Sequence, residues 1–138
     1  MKRCIKILSG EKGASAVEFA IILPILVLLV FGIIQFGLVF NKYIAITHAA
    51  REGARLAAVG LYEEDPILFK EKVKDSAPTV VIEDDDIIVI NPPGDIEIGN
   101  PVTVTVTGET FNIDIPFVGQ WSIPLISQAT MRRERTVP

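Results

Sequence analysis

The sequence predicts an α+β protein in which a long N-terminal transmembrane helix precedes a small antiparallel β-meander. Two observations support this prediction. Residues 19–40 carry no charge and are apolar apart from Gln35, and beyond residue 79 the apolar side chains recur at every second position. A helix over the first segment is about 33 Å long, enough to cross a bilayer. We therefore divide the chain into a leader (1–13), a transmembrane and juxtamembrane helix (14–60) and a small exported α+β head (61–138).

The start of the chain combines a basic leader, a glycine and a single carboxylate. Gly13 ends the leader, and Glu18 follows five residues later, where the apolar segment begins. A charged carboxylate at membrane depth is costly, so Glu18 is a candidate functional residue. An uncleaved signal anchor would explain the apolar segment but neither the glycine nor its spacing to Glu18. A secretory signal peptide has a shorter apolar region, and a lipoprotein would need an apolar stretch before Cys4, which is absent.

Two motifs in this part of the chain are distinctive: Val17-Glu18-Phe19-Ala20 with Pro24, and Ala50-Arg51-Glu52-Gly53-Ala54-Arg55 after the membrane segment. Together they resemble the TadE-like proteins of the tight adherence (Flp) pilus machinery, a class of type IV-like pilins. The resemblance is specific over residues 10–60. It implies cleavage by a prepilin peptidase between Gly13 and Ala14. It also implies that Glu18 and Phe19 make assembly contacts.

The resemblance implies a minor pilin or pseudopilin that works by assembly and not as an enzyme, without a cofactor or metal. Its expected partners are the prepilin peptidase, other pilins or pseudopilins, the Tad inner-membrane assembly platform and inner-membrane lipid. The ammonium group freed at Ala14 can pair with Glu18 of an adjacent subunit. Glu18 can instead favour its own helix N-terminus, or pair with Ala14 of its own chain. The alternative function is an uncleaved, single-span binding module with an exported β head.

Charge predicts the orientation and argues against one class of partner. The leader carries four basic residues and Glu11, so its removal takes a net charge of +3 from a chain of net charge −4 and leaves −7. An acidic mature chain is a poor candidate for binding nucleic acid. Basic residues before a span are retained in the cytoplasm. We therefore expect the N-terminus in the cytoplasm, a single pass through the inner membrane, and a periplasmic or extracellular head that a pilus can incorporate.

Beyond the membrane segment the helix is predicted to continue to about Val59 and to stop at Gly60. Small residues recur there at four-residue spacing, and backbones can approach such a face closely. Either the protein's own head or a neighbouring subunit could pack on it. The face consists of Ala45, Ala49, Gly53 and Ala57, with Ala50, Ala54 and Ala58 beside them.

The head is predicted to hold one short helix and several short strands. Asp65-Pro66 begins the helix, which ends before Pro78 and buries Phe69, Val73 and Ala77. The predicted strands are Ile87 to Ile90, an alternating run over Val102 to Thr107, another over Phe111 to Ile115, and a last one from Ile126 to Arg133. The predicted turns are at residues 91–94, at residues 99–101 and at Gly108.

Few residues suggest catalytic or ligand-binding chemistry. His48 is the only histidine, so neither a catalytic triad nor a multi-histidine metal site can form. The acidic segment 83–86 could bind calcium, but it lacks the spacing of an EF-hand loop, and a solvated turn before a strand is favoured.

Two groups of side chains near the C-terminus each admit two interpretations. The first group is Phe117, Trp121 and Pro124, which form either an exposed binding loop or part of the core. The second group is Arg132, Arg133 and Arg135. These arginines either contact anionic surfaces or, as we favour, protect an edge of the sheet from pairing with another chain.

Overall fold

The computed structural model describes residues 11–90, 97–115 and 119–134, and these ranges confirm the predicted α+β fold. Three helices precede a three-stranded sheet. The predicted turn at residues 91–94, most of the leader, Phe117 and Arg135 lie outside the described residues. The elements are α1 (Glu11–Ala58), α2 (Leu61–Glu64), α3 (Pro66–Asp75), a 3-10 turn (Asp84–Asp86), β1 (Ile87–Ile90), β2 (Pro101–Ile115) and β3 (Gly119–Arg132).

Helix α1 is one continuous helix of 48 residues. By length and composition it could cross a membrane, and its apolar side chains from Val17 to Ile44 are largely exposed. Pro24 lies inside it without ending it, as transmembrane helices tolerate. The helix stops where predicted, because Gly60 adopts a φ of 88°, a left-handed conformation that favours glycine. The apolar length of α1 therefore remains largely uncovered by the described part of the head.

Helix α3 forms as its sequence predicts. The Asp65 side chain accepts hydrogen bonds from the backbone N–H groups of Ile67 (3.1 Å) and Leu68 (3.0 Å), and Pro66 follows it in the first turn. Phe69 and Val73 on this helix, and Ala77 just after it, are fully buried. These contacts confirm the predicted stripe and attach α3 to the core.

The sheet is antiparallel in the order β1-β2-β3 and covers α1 with one face. Val102, Val104 and Val106 are fully buried on that face, while the alternate threonines of β2 lie on the other. Because a strand presents successive side chains to opposite faces, this alternation fixes which face meets the helices. The core therefore lies between the sheet, the C-terminal third of α1, and α3.

The predicted turn at Gly108 is wrong, since β2 runs through it to Ile115 with a register shift between Gly108 and Phe111. A Cβ atom at Gly108 would lie 2.4 Å from Cδ1 of Ile46, so glycine is needed there for close approach to α1 and not for a turn. Strand β3 also begins earlier than predicted, at Gly119 instead of Ile126. The two long strands form a hairpin that extends well beyond β1.

Candidate assembly helix and head-docking face

The predicted cleavage and assembly residues lie together at the N-terminal end of α1. Gly13, Ala14, Glu18 and Phe19 are all helical and exposed. Ala14 and Glu18 are four residues apart, so they lie on one face, one turn from each other. The ion pairs among the described residues all involve Lys42 or later residues, at least 24 residues from Glu18 and so about 36 Å along the helix. The described part of the head therefore lies too far away to supply a partner for Glu18.

The small-residue face of α1 is covered by the chain's own head. Ala49 and Ala57 are fully buried, Gly53 is buried and Ala45 is half-buried. A Cβ atom at Gly53 would lie 2.9 Å from Cγ1 of Val104, on β2. Ala50, Ala54 and Ala58 belong to the same core. Of the two predicted occupants, the structure places the head on this face, and a neighbouring subunit cannot reach it in this arrangement.

Lys42 joins α1 to the sheet where the head begins. Its ammonium group forms an ion pair with Glu109 and lies 5.2 Å from the ring centroid of Phe111. About one turn further along α1, the Ser127 hydroxyl donates a hydrogen bond of 3.3 Å to that of Thr47. Both β2 and β3 are thus attached to the helix at this level, which fixes the head relative to the end of the apolar segment.

A buried ion pair closes the opposite end of the head. Arg133 is 1% exposed, and its Nη2 atom lies 2.5 Å from Oε1 of Glu63, whose side chain is 15% exposed. The backbone N–H of Glu134 donates a hydrogen bond of 2.9 Å to the carbonyl of Ala58. The predicted surface role of Arg133 is therefore wrong, whereas Arg132 is exposed. Arg133 instead links the end of β3 to α2.

The alternation along β3 could have identified Arg133 as an inward-facing residue. It has the same parity as Leu125 and Ala129, which face α1. Glu63 gave no comparable signal, because the four-residue helix α2 has no periodic pattern of its own. Sequence analysis could therefore have found the arginine of the pair but not its carboxylate.

An open cleft between α1, α3 and the end of β3 contains the only histidine of the chain. His48, Arg51, Lys72, Asp75 and Met131 contribute to its lining. At its edge Arg55 and Glu52, three residues apart on α1 and so on neighbouring positions of one helix face, form an ion pair of 2.5 Å. The lining of this cleft therefore carries both cations and carboxylates.

The acidic segment forms a 3-10 turn directly before β1, which confirms the predicted solvated turn. The Asp86 carboxylate accepts a hydrogen bond of 3.0 Å from the backbone N–H of Glu83. Lys74 forms an ion pair with Asp84, and its hydrogen bond and charge lower the pKa of that carboxyl. The described residues contain no group of three or more side chains placed to hold a metal ion.

Trp121 and Pro124 both lie within β3. Trp121 is therefore not in a loop, and its exposure shows that it is not a core residue either, so both predicted interpretations are wrong for it. Its side chain is 49% exposed, on the sheet face that meets α1. Pro124 is exposed on an edge strand, where its missing N–H breaks no pairing. The large apolar ring of Trp121 is therefore available for a contact outside the head.

The fold and site define a class of membrane-anchored protein in which an apolar helix carries a small α+β head. The family model described as TadE-like protein matches residues 13–55, which includes Gly13, Glu18 and Gly53. This match, which covers less than half of the chain, confirms the predicted resemblance of this region to TadE-like proteins. No curated protein and no solved structure matches the chain.

Proposed function

We propose that the chain is a minor pilin or pseudopilin, cleaved after Gly13 and assembled into, or priming, a Tad-type pilus. The observation that carries this proposal is the separation of the two ends of α1. The head covers the C-terminal third, whereas the apolar length from Val17 to Ile44 and the Glu18 carboxylate stay largely exposed. Lipid can cover the apolar side chains, but the carboxylate needs a charged or hydrogen-bonding partner.

In the proposed mechanism α1 has two successive roles, first as a membrane anchor and then as the contact between subunits. Before assembly the helix holds the subunit in the inner membrane. After cleavage the ammonium group of Ala14 pairs with Glu18 of an adjacent subunit, while the apolar helices pack together. A buried ion pair is weak support for stability and a better device for fixing register, so the pair sets the axial step between subunits.

This function needs no catalysis by the chain itself. The prepilin peptidase performs the only covalent step. The chain then acts through contacts with other pilins and with the inner-membrane assembly platform. The match of residues 13–55 to TadE-like proteins supports this assignment to the Tad system.

Surface pili test the proposed function. In cells that carry this chain with a Tad secretion ATPase and a prepilin peptidase, deletion of the chain should strongly reduce the pili recovered by shearing. Re-expression of the full chain should restore them. The readout is the amount of major pilin in the sheared fraction. Unchanged pili in the deletion strain would contradict a role in assembly.

We also propose that the head is exported and the N-terminus is cytoplasmic. Four basic residues precede the span, and Lys42, on its other side, is already paired with Glu109 of the head. A reporter enzyme that is active only in the periplasm should be active when fused after Pro138 and inactive when fused after Lys12. The reverse pattern would place the head in the cytoplasm.

A further inference from the structure

The described end of the β2–β3 hairpin, residues 111–115 and 119–123, lies beside the apolar part of α1, nearer the membrane than the rest of the described head. Strand β2 runs antiparallel to α1, because Val104 packs against Gly53 and the Phe111 ring packs against Lys42. Between these two contacts the residue numbers rise from 104 to 111 along β2 and fall from 53 to 42 along α1. The hairpin continues beyond Phe111 to the pair Ile115 and Gly119, so its described end is level with about residue 36 of α1.

Burial along α1 agrees with this position. Val39 packs against the core, and Gln35, the only polar residue of the apolar segment, is half-buried. The charge-free apolar segment runs from Phe19 to Phe40, about the length that a bilayer core requires. The hairpin end is therefore level with the last turns of this segment.

The hairpin end has one apolar face and one polar face. Phe111, Ile113 and Ile115 face α1, together with their partners Ile123 and Trp121 on β3. Ile113 is buried, whereas Trp121 and Ile123 at the sheet edge are 49% and 37% exposed. On the opposite face Gln120 donates a hydrogen bond of 3.1 Å to the Asp114 carboxylate. This two-sided character suits the boundary between water and lipid.

We propose that the described end of the β2–β3 hairpin makes a second membrane contact, in which Trp121 and Ile123 enter the lipid headgroup region next to the span. Tryptophan favours this region because its ring is apolar while its N–H can bond to water or headgroups. The contact continues the lipid-facing surface of α1, so it rests on the membrane anchoring in the proposed function. Together with the Lys42–Glu109 pair, it holds the head at a fixed tilt on the membrane before assembly.

Trp121 is the only tryptophan of the chain, so its fluorescence reports on this contact directly. The full chain is reconstituted into phosphatidylcholine vesicles, with or without lipids brominated at shallow or deep acyl positions. We expect blue-shifted Trp121 emission, a large loss of emission with shallow bromines, a smaller loss with deep bromines, and protection from acrylamide in the water.

Two variants control for depth and for anchoring. In a Trp121→Phe background, Gln128→Trp places the tryptophan on the outward sheet face, about 23 Å along β3, where bromines should have no effect. In the same background, Phe31→Trp places it on exposed α1, where deep bromines should quench most strongly.

The outcomes separate the two proposals. If Phe31→Trp is not quenched, the membrane anchor itself is wrong. If Phe31→Trp is quenched while Trp121 responds only to acrylamide, the hairpin faces water and the second contact is overturned. If Trp121 is protected from both acrylamide and bromines, a neighbouring subunit covers it, and the lipid contact is equally overturned.

Discussion

Glu18→Gln should abolish assembly of the chain while insertion, cleavage and folding of the head persist. The substitution keeps the size and polarity of the side chain and removes its charge. The effect of Glu18 on its own helix end is at most about 1 kcal/mol, too small to release the apolar helix from the bilayer. Among the described residues, the end of the hairpin is level with about residue 36 of α1, about 27 Å along the helix from Glu18, and no ion pair involves Glu18. Loss of assembly would therefore identify a partner on another subunit.

Cysteine crosslinking in membranes and the yield of sheared pili measure this effect. Cys4 is the only cysteine, and the proposed cleavage would remove it with the leader, so a cysteine placed at the exposed Ile22 would be the sole thiol of the mature chain. Ala49 is unsuitable for this purpose, because the head buries it completely. Glu71→Gln, on the exposed face of α3, is the matched control and should leave crosslinking and pili unchanged. Equal crosslinking with and without the Glu18→Gln substitution would show that this carboxylate is not an assembly contact.

Arg133→Met should lower the free energy of unfolding of the head by about 3–5 kcal/mol, the usual cost of removing one partner of a buried ion pair. The substitution leaves the Glu63 carboxylate in a largely buried site without its counter-charge. It also removes a side chain that holds the end of β3 against α2. A head of this size has little stability in reserve, so part of the population should unfold.

Thermal unfolding of the full chain in detergent, followed by far-ultraviolet circular dichroism, measures this loss. Arg132→Met, at the exposed neighbouring position, should change the midpoint little. The double variant Glu63→Met with Arg133→Met should recover much of the stability, because an apolar pair of similar size avoids the buried charge. A single Arg133→Met variant as stable as the unaltered chain would mean that the pair contributes nothing to the fold.

The elements predicted correctly are those whose signals are local. The length of the charge-free apolar segment predicted α1, and the helix cap at Asp65-Pro66 predicted α3. The alternation of valine and threonine along β2 predicted which of its side chains are buried. Gly108 was misassigned because a glycine that allows a turn and a glycine that allows close approach look the same in sequence. Only the position of Ile46, far earlier in the chain, distinguishes them.

The site residues divide in the same way. The spacing of Gly13 to Glu18 is a local signal, and the structure adds that the described part of the head does not reach it. The Glu63–Arg133 pair and the exposure of Trp121 depend instead on which strand edge meets which helix. The alternation along β3 could have shown that Arg133 faces inward, but its partner Glu63 and the exposure of Trp121 leave no periodic trace in the sequence, so they required the fold.

Processing at Gly13 tests the central claim most directly, because it separates a pilin-like subunit from an uncleaved tethered module. The measurement is the intact mass of the full chain purified from the envelope of cells with an active prepilin peptidase. The proposed function predicts a mature form that begins at Ala14, and Gly13→Val should block cleavage where Gly10→Val does not. A membrane-bound form that retains residues 1–13 in those cells would contradict the proposal.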